Sequence, residues 1–220
     1  FDGIAVISVV GYLIGIFLRK KISVLNPLLV SIIFVIAVIK IFHIDYETYN
    51  SGAKYISYLL TPATVCLAIP LYRQISVLKE HAREVFIGIL AGVLASMGSI
   101  LLMSYLFGLT HEQYVTLLPK SITTAIGMGV SEELGGIQTI TVAVIIITGV
   151  LGNIIAEAVL KIFRIKEPVA KGLAIGTASH AIGTTKALEI GEIEGAMSSL
   201  SVAVAGLMTV ISASIFANMM

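Results

Sequence analysis

Residues 177–187 have the sequence TASHAIGTTKA, which places hydroxyl, imidazole and ammonium groups among small residues. The chain around this stretch is 220 residues long, 57% hydrophobic and only 12% charged, and its mean hydropathy is +1.02. A soluble domain has about 25% charged residues, so the composition predicts an integral membrane protein. Polar, irregular backbone at membrane depth is tolerated only where it is buried in protein or lines a polar cavity. The stretch therefore indicates a polar element inside a membrane-embedded fold.

Six apolar blocks lie outside this stretch, and each is long enough to cross a bilayer, which takes about 17–25 residues. Such lengths favour an all-α membrane protein over a β-barrel, whose strands are shorter. Two further blocks, 115–130 and 169–190, are rich in Gly, Ser and Thr and contain Lys120, His180 and Lys186. The six apolar blocks are 1–18, 24–42, 55–71, 85–107, 137–160 and 196–217.

The basic residues indicate how the polar blocks meet the membrane. They cluster at 19–21, 72–84 and 161–171, and the positive-inside rule places such clusters on the cytoplasmic side. If the first polar block crossed the membrane fully, residues 161–171 would lie outside, against the rule. If it enters and returns on one face, they lie inside. We therefore predict that 115–134 and 170–192 are two re-entrant hairpins, one from each face.

Short phrases recur in the second half of the chain. TTAIG at 123–127 is similar to SHAIG at 179–183, and TVAVIIITGV at 141–150 is similar to SVAVAGLMTV at 201–210. Each copy is a polar block followed by one clean span. A unit that crosses the membrane once reverses its orientation in the next copy, so this order predicts an inverted repeat. Secondary transporters place their substrate site between such broken elements, near the midplane.

These patterns predict a single polytopic membrane domain over residues 1–220, with about six full transmembrane helices and two Gly/Ser/Thr-rich re-entrant hairpins. Residues 1–108 are expected to be mainly scaffold spans. Residues 109–220 are expected to form two hairpin-plus-helix repeat units. We expect an elevator-like transporter architecture, in which the hairpin-bearing part moves to alternate access.

His180 and Lys120 are the strongest candidates for a site. An imidazole can accept a proton or donate hydrogen bonds to an anion, whereas a structural histidine would be bonded to a neighbouring carbonyl. Lys120, in the phrase PKSITT, can neutralise a carboxylate, or its ammonium can reach the interface from a shallow position. The sequence leaves both alternatives open for each residue.

The hydroxyls and glycines of the two polar blocks could donate to a small anion, because half-helix N-termini also expose N–H groups and a positive dipole end. The same small residues could instead pack helices together. The predicted substrate-binding residues of these blocks are Lys120, Ser121, Thr123, Thr124, Ser179, His180, Gly183, Thr184 and Thr185.

Other classes of function find little support. Cys66 is the sole cysteine, so there is neither a disulfide framework nor a Cys-based metal site, and no basic patch interleaved with aromatics indicates nucleic acid. Adjacent residues on a helix point about 100° apart, so Ser179 and His180 do not form a nucleophile–base pair without unwinding. We expect no enzyme activity, no metal and no cofactor, and leave a coupling proton or sodium ion open. Glu157 and Lys161 are expected to form a helix-end salt bridge.

Four phrases spread over nearly the whole chain resemble the LrgB/CidB family of bacterial membrane proteins. The predicted substrate-binding set takes in Asn26 from the first phrase and Thr61 and Pro62 from the second. The phrases are NPLL at 26–29, LLTPATVCLAIPLYRQ at 59–74, LLPKSITTAIGMGVSEELGG at 117–136 and GTASHAIGTTKA at 176–187.

The resemblance implies two different functions. Bacterial members are described as antiholin-like or holin-like partners of LrgA/CidA proteins that affect murein hydrolase activity and cell lysis. Related proteins are linked to pyruvate transport, and a plant plastid relative to transport of glycolate and glycerate. The residues favour the second account, because opposed polar hairpins suit a carrier of small carboxylates better than a lytic pore.

We therefore expect a secondary transporter of small monocarboxylates, of the 2-oxo or 2-hydroxy acid kind, with many spans in the bacterial cytoplasmic membrane. Its expected partners are the carboxylate, the lipid bilayer, a second copy of the chain in a dimer and an LrgA/CidA-type membrane protein. The alternative is a holin- or antiholin-like protein that modulates lysis.

Overall fold

A computed structural model describes residues 4–22, 25–59, 62, 65–66 and 68–220 of the chain. These residues form eleven α-helices and contain no strand, so the predicted all-α class is confirmed. The chain divides into two compact units, Phe1–Cys66 and Leu67–Met220.

Among the described residues of the first unit, three helices have defined bounds: α1 (Ile4–Lys21), α2 (Pro27–Ile41) and α3 (Tyr46–Ser57). Helix α2 begins where it does because the Asn26 side chain accepts hydrogen bonds from the backbone N–H groups of Leu28 and Leu29, at 2.8 and 3.3 Å. Pro27 occupies the first helical turn, where a missing N–H is tolerated. Helix α1 packs against α2 and α3.

The second unit contains the eight remaining helices of the described residues, and three of them are long and apolar enough to cross a membrane. These three are α6 (Ala82–Phe107), α9 (Gln138–Ile162) and α11 (Glu192–Ala217). The shorter ones are α4 (Ala68–Arg73), α5 (Ile75–Glu80), α7 (His111–Leu117), α8 (Thr124–Glu133) and the interrupted helix α10 (Pro168–Ile190).

The three long helices match the predicted spans 85–107, 137–160 and 196–217. The other three predicted spans stay predictions. Helix α2, within block 24–42, has 15 residues and is about 22 Å long, short of a hydrocarbon core of about 30 Å. Block 55–71 lies partly outside the described residues.

Helix α10 is broken at His180, whose φ of 43° and ψ of −147° are not helical. The two halves pack against the same stretch of α11. Gly172, in the first half, lies directly against the backbone of Glu194, and Leu188, in the second half, lies directly against Gly195. Both ends of α10 therefore lie beside the beginning of α11, and the chain reverses its direction at His180.

Helices α7 and α8 are related in a similar way. Residues 118–123 separate them, and a Cβ at Gly127 in α8 would lie 3.4 Å from the carbonyl oxygen of Pro119. Further from the break, a Cβ at Gly136, just after α8, would lie 3.0 Å from the backbone nitrogen of Thr116 in α7. The second unit thus contains the same order of elements twice: a short helix, a break, a second short helix and a long apolar helix.

Candidate functional site

Helix α9 contacts both broken elements, at successive positions along its length. Near its beginning, the Thr141 hydroxyl donates to the Thr116 carbonyl at 2.9 Å and lies 2.7 Å from the Ser131 hydroxyl. Near its end, the Glu157 carboxylate pairs with the Lys186 ammonium at 2.6 Å. The α7–α8 element therefore lies beside the start of α9, and the end of α10 that contains Lys186 lies beside the end of α9.

The tips of the two broken elements meet α9 at Ile145, which is fully buried. The His180 ring donates from Nε2 to the Ile145 carbonyl at 3.0 Å, since a carbonyl only accepts. A side chain at Gly127 would overlap the Ile145 side chain. Gly149 leaves room for the imidazole, because a Cβ there would lie 2.7 Å from Nε2. The two recurring segments, TTAIG at 123–127 and SHAIG at 179–183, thus both contact Ile145.

A cavity of about 490 Å³ lies in this unit between α6, the turn after α7 and the first half of α10. Small-molecule sites occupy about 300–1,000 Å³, so the volume suits a small ligand with water. The cavity is lined by Gly88, Gly92, Ala95, Ser96, Ser99, Lys120, Ser121, Leu173, Ala174, Thr177 and Ala178.

Lys120 is the single cation among the described residues of this lining. It begins a short chain of hydrogen-bonded side chains. Its ammonium donates to the Ser121 hydroxyl at 3.1 Å, and that hydroxyl lies 3.1 Å from the Ser96 hydroxyl. The described residues of the lining include no carboxylate, and no carboxylate among them or elsewhere in the described chain lies within ion-pair distance of Lys120. A partly buried ammonium with only hydroxyl partners favours an anion beside it.

Thr177 lines the cavity, and its hydroxyl has spare hydrogen-bonding capacity. Its Oγ1 is buried, and no hydrogen-bond partner lies within reach among the described residues. Most buried hydroxyls in proteins are paired, so an unpaired one needs an explanation. The methyl group of Thr177 packs against Gly92, which fixes the side chain.

The cavity lies beside the middle of helix α6. Ser96 is close to the centre of the 26-residue helix α6, and α6 is one of the helices able to span a membrane. Gly88 and Leu173 lie towards one end of α6, whereas Ser104 and Leu117 line a smaller cavity of about 160 Å³ towards the other. Lys120 and Ser99 line both cavities.

Four of the predicted site residues of α10 are buried, and the fifth, Thr185, is exposed. None of them lines the cavity that contains Lys120. Ser179 packs against Gly152 of α9. The Thr184 hydroxyl donates to the His180 carbonyl at 3.2 Å, and the Ser198 hydroxyl lies 2.9 Å from it. The Thr185 hydroxyl accepts from Asn153 at 2.9 Å. All of these contacts are made to other residues of the protein. They therefore stabilise the backbone around the break in α10.

The remaining predicted residues are dispersed. Thr123 and Thr124 begin α8 and are half-buried, and a Cβ at Gly183 would lie 3.1 Å from the Ile175 carbonyl. Asn26 caps α2 in the first unit. Pro62 is exposed, and Thr61 lies outside the described residues.

Sequence reasoning missed Ser96, Ser99 and Thr177 as lining residues. A signal was present for the first of these, because Gly88, Gly92 and Ser96 follow one another at a spacing of four. Small residues at that spacing share one helix face and let neighbouring backbone approach. Thr177 had no such signal, because its hydroxyl is distinguished only by the absence of a partner.

Comparison with known proteins gives a consistent result. The profile of the LrgB-like family matches residues 8–219. Antiholin-like protein LrgB from Bacillus mycoides is 38% identical over 209 residues, which cover 94% of this chain and 91% of that protein. Proteins of the same name from Bacillus cereus and Bacillus anthracis show the same identity and coverage. No solved structure matches the chain.

The match extends through both broken elements and all three long helices, and with them through every residue that lines the two central cavities. Only the first seven residues of the chain and the last one lie outside the matched range. The chain therefore belongs to the LrgB-like family of membrane proteins.

Proposed function

We propose that this protein is a secondary transporter of small monocarboxylates and that the substrate binds in the cavity lined by Lys120, Ser121 and Thr177. The observation that supports this most is the composition of the cavity: its described lining residues supply one ammonium, several hydroxyls and no carboxylate. Such a lining attracts a single negative charge and offers additional hydrogen bonds beside it.

The arrangement of the broken elements supports a transporter. One element contacts the start of α9 and the other contacts its end, and their tips meet at Ile145. If α9 crosses the membrane, the two elements are re-entrant hairpins from opposite faces, and the repeat is inverted. Transporters with opposed broken helices bind substrate near the midplane, and the position of Ser96 along α6 agrees with this depth.

The cavity lining has a further hydroxyl at Thr177 besides Lys120 and Ser121, and this favours an acid with a second oxygen beside its carboxylate. In this proposal Lys120 and Ser121 receive the carboxylate, because a charge-assisted bond is the strongest contact available there. Thr177 on the facing helix receives the neighbouring oxo or hydroxyl oxygen with its unpaired Oγ1. Pyruvate and glycolate both fit this description.

Flux into proteoliposomes that contain only this protein tests the proposal. Wild-type protein is expected to give saturable uptake of labelled pyruvate and glycolate. In Lys120→Ala the apparent affinity is expected to fall by roughly tenfold to a hundredfold, since a charge-assisted contact contributes about 1.5–3 kcal/mol. Lys120→Arg keeps the charge and is expected to retain part of the affinity.

Lys79→Ala is the matched control, because Lys79 is an exposed lysine outside the cavity. Its uptake is expected to equal that of the wild type. Uptake that stays saturable and unchanged in Lys120→Ala, with normal yield and unfolding temperature, would contradict the assignment of the cavity. The same assay, run with proton and sodium gradients in turn, identifies a coupling ion.

The family gives a second candidate function, since the relatives are named antiholin-like. An antiholin-like protein would act with a membrane partner of the LrgA/CidA type and modulate lysis. Linear flux that also admits unrelated dyes would favour a pore, whereas stereoselective and saturable flux favours a carrier. The elevator-like motion and the homodimer stay predictions within the transporter proposal.

A further inference from the structure

A second cavity of about 540 Å³ lies where α9 ends and α10 begins, and none of its described lining residues is shared with the cavity that contains Lys120. Its lining combines four basic side chains, one acidic side chain and three apolar ones. The basic residues are Lys161, Arg164, Lys166 and Lys171, the acidic one is Glu157, and the apolar ones are Leu160, Ile165 and Ile190.

The charges of this lining are only partly compensated. Glu157 pairs with Lys186 at 2.6 Å and with Lys161 at 3.8 Å, and Lys171 pairs with Glu194 at 3.7 Å. Arg164 and Lys166 have no carboxylate within ion-pair distance in the described parts of the chain. Two uncompensated cations on one cavity repel each other, and an anion between them would relieve that repulsion.

Arg164 also occupies a position that usually belongs to glycine. Its φ is 54°, and the N–H of the next residue, Ile165, donates back to the Leu160 carbonyl at 2.9 Å, which closes the end of α9. Helices that end in this way usually have glycine in the left-handed position, because a Cβ is strained there. The sequence thus has an arginine where glycine would suit the backbone better.

If α9 crosses the membrane, the cavity lies at the depth of lipid headgroups. It is at the C-terminal end of α9, which is 25 residues long and apolar enough to span a membrane. Ile162 and Phe163 beside it are 73% and 72% exposed, as suits side chains that face acyl chains. Basic pockets between transmembrane helices bind anionic lipid headgroups in this kind of position.

We propose that this cavity binds the phosphate of an anionic phospholipid. Arg164 and Lys166 contact the phosphate oxygens, for which a guanidinium provides two parallel donors. Leu160, Ile165 and Ile190 contact the glycerol and the upper acyl chain. A bound lipid would join the end of α9 to both ends of α10, because Lys171 and Ile190 both line the cavity.

Native mass spectrometry and unfolding temperatures of the full chain in detergent test the proposal, with phosphatidylglycerol and phosphatidylcholine of the same acyl chains. Phosphatidylglycerol is expected to bind saturably, to raise the unfolding temperature and to bind at least roughly tenfold more tightly than phosphatidylcholine. Each basic contact at an anionic surface contributes roughly fivefold. The double variant Arg164→Gln/Lys166→Gln is therefore expected to bind phosphatidylglycerol roughly 25-fold more weakly.

Arg164→Gly separates lost binding from lost folding. It removes the strained Cβ, so without added lipid its unfolding temperature is expected to equal or exceed that of the wild type, while its affinity for phosphatidylglycerol falls. His43→Gly is the matched control, because His43 is another exposed non-glycine residue with positive φ, at 48°, and does not line the cavity. This control is expected to keep the full lipid effect.

Three results would overturn the proposal. Equal binding of phosphatidylglycerol and phosphatidylcholine would show that charge does not select the ligand. An equal stabilisation by inorganic phosphate or glycerol phosphate would identify a soluble phosphate compound instead of a lipid. Unchanged phosphatidylglycerol affinity in Arg164→Gly and in the double variant would place lipid binding elsewhere on the protein.

Discussion

Thr177 and Thr184 belong to the same interrupted helix, yet their hydroxyls have different surroundings. Thr177 Oγ1 has no partner within the described residues, whereas Thr184 Oγ1 bonds both the His180 carbonyl and the Ser198 hydroxyl. Replacing a satisfied buried hydroxyl costs about 1–3 kcal/mol, because its partners lose a bond, but an unsatisfied one can be removed without that loss. Substitutions at the two threonines therefore distinguish an effect on substrate binding from an effect on the free energy of unfolding.

Thr177→Val is expected to leave the free energy of unfolding unchanged or slightly higher, and to lower substrate affinity by roughly fivefold. Thr184→Val is expected to lower the free energy of unfolding by about 1–3 kcal/mol. Denaturation in detergent and uptake in proteoliposomes measure the two effects. If Thr177→Val lost stability while keeping its affinity, the hydroxyl would have a structural partner and no substrate contact.

His180 supports the break in α10 through its bond to the Ile145 carbonyl. His180→Leu is expected to lose about 1–3 kcal/mol of unfolding free energy, since it leaves that carbonyl without its side-chain donor. His180→Gln keeps a donor and is expected to lose less. Unfolding midpoints of both variants measure this difference, and equal losses would mean that the ring contributes packing alone.

Net uptake and exchange over roughly pH 5.5–7.5 test whether the imidazole also takes part in proton coupling. A coupling histidine gains and loses charge during transport, so His180→Gln would flatten the pH profile of net uptake and leave exchange intact. If both activities of His180→Gln match the wild type throughout, His180 is structural. The bond to Ile145 needs only the Nε2 proton, which is present in one neutral tautomer and in the charged ring.

Some residue-level predictions could be made from the sequence and others could not. Lys120 and Ser121 could be singled out because an ionisable residue and a hydroxyl inside an apolar chain are conspicuous. Both line one cavity, and their binding of substrate stays a prediction. The α10 hydroxyls look equally suitable in the sequence, and only packing separates the internal bonds of Thr184 from the free Oγ1 of Thr177. A hydroxyl's partner depends on the neighbouring helix, which local sequence does not specify.

At the scale of elements, glycines on α9 determine how closely α10 approaches. A side chain at Gly152 would overlap Ser179, and one at Gly149 would lie 2.7 Å from the His180 ring. Gly152→Ala and Gly149→Ala are each expected to lower the free energy of unfolding by about 1–3 kcal/mol, because overpacking forces the backbone apart.

Gly98→Ala on α6 is the control for this prediction, because nothing lies within 4 Å of a Cβ at that position. Alanine is favoured over glycine in a helix by up to about 1 kcal/mol, so this variant is expected to be neutral or stabilising. Chemical denaturation of the three variants in one detergent provides the comparison. A loss in Gly98→Ala as large as the other two would point to general sensitivity to added volume.

The long helices were the easiest elements to predict, because α6, α9 and α11 are long runs of apolar residues. The break at His180 was harder to predict from the sequence. The phrase SHAIG suggested a polar tip, but nothing about a histidine indicates that its φ will be 43°. The fold-back of α7 on α8 depends on contacts such as Pro119 with Gly127, which no local pattern specifies.

For the whole molecule, the orientation of the broken elements in the membrane can be tested directly. Helices α7 and α8 have 7 and 10 residues, so each is about 15 Å long or less and neither spans a bilayer alone. Single cysteines at Glu112 and Glu132, in a Cys66→Ala background, are expected to be labelled from one face. Single cysteines at Glu167 and Glu192 are expected to be labelled from the other.

Membrane-impermeant thiol reagents, applied to intact and to opened vesicles, make this measurement. All four cysteine positions lie next to loops and away from the two breaks. Labelling of Glu112 and Glu132 sites from opposite faces would mean that the α7–α8 element crosses the membrane. The orientation of the second element would then also have to be revised, because α9 determines the relation between the two.

Ile145 contacts the tips of both broken elements, and this has a consequence for how the protein opens. Amide hydrogens are exchanged with solvent through local unfolding, and segments that share a buried contact tend to open together. Residues 123–127 and 179–183, although far apart in sequence, are therefore expected to exchange as one cooperative unit. Ile145→Ala would speed exchange in both segments to a similar degree, whereas two separate units would respond unequally.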